Sequence, residues 1–405
     1  MKSLSLRLLA IIILFLFNKS MIAQSANNAP TFNFSRGIGI AVPDSSFSLN
    51  FRFRSQLRAG YVSNSTSDLS ASEIEARVRR LRMRIEGFMI NPKINYSIQL
   101  SFSRGDMDWV DNDNSAVNSS PNVVRDAVVI YRPNSNWSFT FGQTKLPGNR
   151  QRVVSSGELQ FTDRSIVNAT FNIDRDFGAQ FSYQNSISTI GYALKGALTS
   201  GEGRNSSASD AGLAYTGRVE ILPLGTFTNK GDYFEGDLER EKKPKISIAG
   251  GYHYNENAMR TAGTLGRDLY EKRNISSLMM DVLFKYKGFA LCGEFISRNT
   301  NDPVTVNSSN QTRVVYVGDG KMMQLSYLFK NNMEVAGRYA IVTPKSSIYN
   351  SELQRQEMGI GVTKYLKKHR VKLQGQLFYH QNDNLQTESV VNKYYSCVFQ
   401  VELGL

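Results

Sequence analysis

Between Ser46 and Tyr61 the chain reads SFSLNFRFRSQLRAGY, and every second residue is apolar. Phe47, Leu49, Phe51, Phe53, Leu57, Ala59 and Tyr61 share one face, with Ser55 the departure, while Asn50, Arg52, Arg54, Gln56 and Arg58 share the other. A period of two sends alternate side chains to opposite sides of a strand. The segment is therefore a strand with two unlike faces. Three arginines on one of them restrict where it can lie.

What precedes this strand sharpens the restriction. Residues 1–24 read as a secretory signal peptide: Lys2 and Arg7 precede the apolar run Leu8 to Phe17, and Ala23–Gln24 offers a processing point. A spanning helix needs about 20 apolar residues, more than this run supplies. No later segment reaches that length, and the mean hydropathy is −0.33. Barrel strands escape such scans because only alternate residues are apolar. An exported strand with an arginine face thus fits one face in lipid and the other on a polar lumen.

The alternation recurs along the chain. Residues 25–45 read as a short, turn-like lead-in, and 46–405 as a succession of strands. Ala71 to Arg84 also suits a helix, but Leu81, Met83 and Ile85 alternate with Arg80, Arg82, Arg84 and Glu86, which favours a strand. Asn91-Pro92 reads as a tight turn before Ile94 to Phe102. Continuing to Leu405 gives about sixteen strands, an even number as bacterial barrels have.

The connectors alternate too. Short links fall at Asn91-Pro92, Pro133–Asn136, Asn185–Ser188, Lys287-Gly288, Asn331-Asn332 and Lys367–His369. Long polar links fall near 63–73, 104–122, 143–173, 200–211, 256–275, 299–320, 343–353 and 381–392. Periplasmic turns and external loops of an up-and-down barrel produce this rhythm. Pro223 to Lys243 breaks it, being long and charged in a short-turn slot. It is either a periplasmic excursion or a sign of a miscounted strand. The expected fold is an all-β transmembrane antiparallel barrel in the outer membrane of a Gram-negative bacterium.

Several of these segments resemble the phosphate-selective porin O/P family. The resemblance rests on RRLRMRIEG (79–87), FGQTKLPGNRQRVVSSGELQFTDRS (141–165), the Arg-Asp-Phe-Gly turn at 175–178 and GRVEILP (217–223), in that order and spacing. It implies a sixteen-stranded barrel, usually a homotrimer, whose third long loop, here 143–173, folds inward to narrow the pore. It also implies passive passage of phosphate-like anions.

The residues themselves point to charge selection. The whole chain carries +13, and positive charge on an exported protein suits anionic headgroups or solutes; export argues against nucleic acid. Arginine meets oxyanions with a planar, permanently charged fork. On the strand phase above, Arg52, Arg54, Arg58, Arg80, Arg82 and Arg84 form a basic wall facing the lumen. Facing lipid would cost about 2–4 kcal/mol each near the midplane, which fixes the phase. Lys145, Arg150 and Arg152 of the third loop would tune the constriction. The alternative is that these charges only neutralise the lumen acids Glu86, Asp126, Glu220, Asp281, Glu294, Glu334 and Glu402. A weakly selective general porin, or a non-conducting barrel serving adhesion or structure, therefore stays open.

An enzyme reading is disfavoured. The three histidines, His253, His369 and His380, stand in no nucleophile motif, and no metal-spaced cluster or phosphate loop is present. Asp111 to Asn114 lack the glycine and glutamate of a calcium loop. Cys292 and Cys397 sit within strands as wall residues. No catalytic residue, metal or cofactor is expected. The expected partners are small anions, membrane lipids and copies of the same chain.

Overall fold

A computed structural model describes residues 30–34, 37–42, 44–103, 123–206 and 212–405. The expected signal peptide and the Asp111 to Asn114 segment lie outside these. A hairpin of β1 (Thr31–Asn33) and β2 (Ile38–Ala41) leads into the wall. The wall begins with β3 (Phe47–Ser63), β4 (Ala71–Met89), β5 (Asn91–Ser101), β6 (Val124–Tyr131), β7 (Trp137–Lys145) and β8 (Arg175–Ile187). It continues through β9 (Ile190–Thr199), β10 (Ala214–Leu222), β11 (Lys245–Arg260), β12 (Asp268–Tyr286) and β13 (Phe289–Asn299). A small external hairpin, β14 (Val304–Val306) with β15 (Thr312–Val314), precedes the last five staves. These are β16 (Gly318–Leu328), β17 (Met333–Pro344), β18 (Gln354–Lys367), β19 (Val371–Asn384) and β20 (Ser389–Gly404).

Sequential wall strands pair antiparallel, and β20 returns to β3 from Ser396↔Val62 to Gly404↔Arg54. Sixteen strands therefore close a barrel, as the alternation predicted. The hydropathy is inverted relative to a soluble protein. In β10, Tyr215, Val219 and Ile221 point outward and exposed, while Thr216, Arg218 and Glu220 are buried. Only lipid outside and a polar interior make that pattern favourable. Aromatic clusters mark both rims: Trp137 lies against Phe139 and Tyr183 at the short-turn end, and Tyr379 against Tyr395 at the long-loop end.

Four details differ from the sequence reading. The lead-in is not merely turn-like: β2 pairs with β3 over Ser48–Phe51, below the point where β20 stops, and so extends the wall there. The chain reverses at Ile90 (φ 71°), and Asn91-Pro92 already belongs to β5. The links at 256–275 and 381–392 are largely strand, because β11, β12, β19 and β20 run on past the membrane-length core of about 9–11 residues. Finally, the link at Pro223 to Lys243 marks no miscounted strand, but it is not the expected periplasmic excursion either: it turns into the lumen, as described below.

Candidate functional site: a lumen narrowed from both ends

The loop between β7 and β8 contains two short helices, α1 (Arg150–Val153) and α2 (Ile166–Phe171). Its back is apolar. Val167, Phe171 and Ile173 pack on the inward-facing Ile275, Met279, Ile296, Met322 and Val342 of β12, β13, β16 and β17. Gly320 makes this contact possible, since a Cβ there would lie 2.8–2.9 Å from Val167 and the Phe171 ring. Ser165 caps α2, accepting from the Asn168 N–H (3.2 Å) and donating to Gln151 Oε1 (2.7 Å). Ser165→Ala should cost this segment about 1 kcal/mol. Hydrogen exchange of the α2 amides should then quicken by about fivefold, the factor that energy represents.

Two polar clamps hold the rest of the loop. On the far wall, Arg150 Nε meets Asp281 at 3.1 Å, Ser247 accepts at 3.0 Å, and Glu220 lies 3.5 Å away. Arg218 shares both acids, at 2.7 Å to each. On the near wall, Asp163 receives Arg58, Arg79 (3.3 Å) and Arg80 (3.1 Å). Arg79 and Arg80 reach the same carboxylate because β4 bulges there: Gln56 pairs with Arg80, but the next residue, Leu57, pairs with Val78. Burial alone would raise the Asp163 pKa, but Arg79, Arg80 and Arg58 outweigh it and hold it well below the usual carboxylate value.

The link from Pro223 to Lys243 enters from the opposite end. Its short 3-10 turn (Thr228–Tyr233) brings Gly231 and Asp232 into the lumen, and Glu235, Gly236 and Asp237 are also buried there. Lys285 donates to the carbonyls of Gly231, Phe234 (2.7 Å) and Gly236. Glu235 takes the Gln160 N–H of the β7–β8 loop (2.8 Å), and the Asp232 carbonyl accepts from Arg150 (3.1 Å). The two intrusions are thus fastened to each other.

Eight of the nine predicted basic residues divide into three groups. Arg52 and Arg84 both pair with Glu86 towards the short-turn end. Arg54, Arg58 and Arg80 hold the loop, through Ser155, Ser156 and Asp163. Arg82 (2.8 Å to Ser156 Oγ), Lys145 and Arg152 line the open space. Arg150 does not: at 1% exposure it is an anchor behind the loop, which corrects its assignment to pore tuning.

Among the described residues an opening remains as a chamber of about 360 Å³ between the loop and β4–β8. Arg82, Arg84, Arg125, Lys145, Arg152, Arg164 and Arg175 line it, against Asp126 and Glu158. Asp126 is itself held by Arg175 (2.9 and 3.1 Å). Nearby, the buried Asp174 is ringed by Arg125, Arg152, Arg175 and Arg204. Burial and then neighbouring Arg80 lower Arg164 to about 9, and burial with Arg164 and Arg175 lowers Arg152 well below its ordinary value. Guanidinium resists deprotonation, so the meaning is concentrated positive potential. Towards the short-turn end the chamber meets a vestibule of about 470 Å³ lined by Asn50, Arg84, Glu86 and Arg132. By contrast Glu220, Asp281, Glu294, Glu334 and Glu402 are buried behind or beside the loop and link, where they hold structural partners. Arg79, Arg125 and Arg175 escaped the sequence reading. The doubled arginine at 79–80, breaking the alternation, was the signal for the first.

Residues 50–235 match the family model described as phosphate-selective porin O and P, the family the motifs resemble. No curated protein matches the chain. Among solved structures, an anion-selective porin from Comamonas acidovorans superposes with a TM-score of 0.52 at 14% identity, covering 89% of this chain and 100% of that one. OmpT of Vibrio cholerae, in its trimer form, gives 0.50 at 9% identity, with 89% and 100% covered. The outer-membrane channel DcaP of Acinetobacter baumannii gives 0.51 at 11%, with 88% and 98% covered. At these identities the likeness is one of fold.

Proposed function

We propose that this outer-membrane porin passes anions along one side of its lumen, through the arginine-lined chamber between the β7–β8 loop and β4–β8. Phosphate and other small oxyanions are the solutes that the family match and the arginine forks favour. The observation that carries the reading is the lining of that chamber, seven basic side chains against two acidic ones. Five of the lumen acids, Glu220, Asp281, Glu294, Glu334 and Glu402, are engaged in seating the loop and the link, so the charge balance of the whole interior differs from that of the route. Low-dielectric walls focus such a field and raise the local anion concentration. No cofactor is required, because solutes move down their gradient. Assembly as a homotrimer is part of the proposal, supported by the family resemblance and by the trimer form of the Vibrio cholerae neighbour.

Reversal potential in a KCl gradient across a planar bilayer tests this. The expected sign is that of chloride permeation; potassium preference, or the absence of channels, overturns it. Replacing Lys145, Arg152 and Arg164 together by glutamine should weaken the preference. Each charge contributes about 0.4 kcal/mol at ~10 Å in a water-like dielectric, so removing the three should lower chloride permeability roughly eightfold and raise that of potassium by a similar factor. The fall should shrink at high salt, where such charges are screened.

A further inference from the structure

The chamber has a side recess that inorganic phosphate would not need. It measures about 240 Å³ and joins the chamber at Thr140, Lys145, Val153 and Tyr233. Its wall is of two kinds. Lys145 and Lys195 supply positive charge, while Leu146, Pro147, Val153 and the Tyr233 ring supply apolar surface. Tyr233 comes from the link that enters from the short-turn end. Lys195 fixes it, donating to its hydroxyl at 2.7 Å and standing 5.1 Å from the ring centroid. Lys195 is also paired with Glu220 at 2.9 Å. Lys145 differs: it donates to the carbonyls of Val153 (3.3 Å) and Val154 (3.1 Å) and, among the described residues, pairs with no carboxylate.

From this juxtaposition we infer that the recess selects organic anions, specifically carboxylates carrying an aromatic ring, with the carboxylate on Lys145 and the ring against Tyr233. This rests on the anion route proposed above and names a solute class for it. The physical case is complementarity. A lysine amine, which an arriving carboxylate would pair with in its protonated form, set beside a flat apolar wall matches a ligand with charge at one end and a ring at the other. A cavity of about 150 Å³ already holds a benzene ring, so the recess has room for a single-ring carboxylate. Tyr233 is then a specificity-determining residue contributed by the link.

The test compares benzoate with acetate, which share charge and differ by the ring, as blockers of chloride current through the full-length channel. Half-blocking concentrations should be about five- to tenfold lower for benzoate, the factor one aromatic contact supplies. Tyr233→Ala should bring the ratio to about one, and Tyr233→Phe should retain it. Equal half-blocking concentrations in the wild type overturn the inference, as does a ratio that survives in Tyr233→Ala. The reversal potential on the same membranes separates the two levels. A chloride-side potential without benzoate preference defeats this inference alone, whereas a potassium-side potential defeats the anion route beneath it.

Discussion

Arg150→Met is expected to release the β7–β8 loop from the far wall while leaving the barrel closed. Arg150 is buried among Asp281, Glu220 and the Asp232 carbonyl. Methionine fills much of its volume but carries no charge. Arg218 and Lys195 would remain to neutralise Glu220 and Asp281, and the Asp232 carbonyl would lose its donor. Breaking a buried pair by removing one partner costs about 3–5 kcal/mol, because the other charge stays desolvated. The barrel's hydrogen bonds run strand to strand and do not pass through Arg150, so the cost falls on the loop and link. Their open population should rise by about 10²- to 10⁴-fold. Single-channel recordings should show higher, noisier conductance, and anion preference should fall as the acids meet the solution. A channel of wild-type conductance and selectivity would refute the anchoring role.

Asp163→Asn should loosen the same loop from the near wall and move selectivity the other way. The carboxylate holds Arg58, Arg79 and Arg80, but about a third of it (37%) faces solvent. Solvent screening therefore reduces the loss, to about 1–3 kcal/mol. One negative charge disappears beside three arginines, so conductance should rise with anion preference kept or increased. The pair of variants separates a mechanical effect from an electrostatic one: both open the loop, but only Arg150→Met exposes acids. The pH dependence follows from the sign of the shift. The Asp163 pKa is depressed, so its clamp is fully present above the unfolded value of 3.8 and is lost only as pH falls through the lower folded value. Asp163 therefore adds no step in conductance between pH 7 and pH 5, and the pH profile of Asp163→Asn over that range should parallel that of the wild type. A step in this range that Asp163→Asn abolishes would contradict the clamp.

Much of the wall was legible in the chain. The phase of β3 and β4 was readable because an arginine facing lipid carries a penalty that no other local term offsets. The placement of Arg58, Arg80 and Arg82 inside follows from that. The division of labour among those arginines was not readable. Arg58 and its acid are 105 residues apart, and Arg150 and Asp281 are 131 apart, so no local pattern marks either pair. The link at Pro223 to Lys243 announced itself only as an irregular length. That its acids, glycines and Tyr233 turn into the lumen has no local mark, because the groups that hold them lie on distant strands.

The sequence by itself determined an antiparallel barrel of about sixteen strands and which face of its strands meets lipid. Those depend on period two, connector rhythm and the cost of charge in hydrocarbon, all local or nearly so. The tertiary structure decided where the opening lies. Loop and link fill the lumen beside β10–β20 and engage most of its acids, leaving an arginine-lined chamber beside β4–β8. That outcome comes from long-range ion pairs and an apolar seat for α2. Each depends on groups brought together only when the barrel closes.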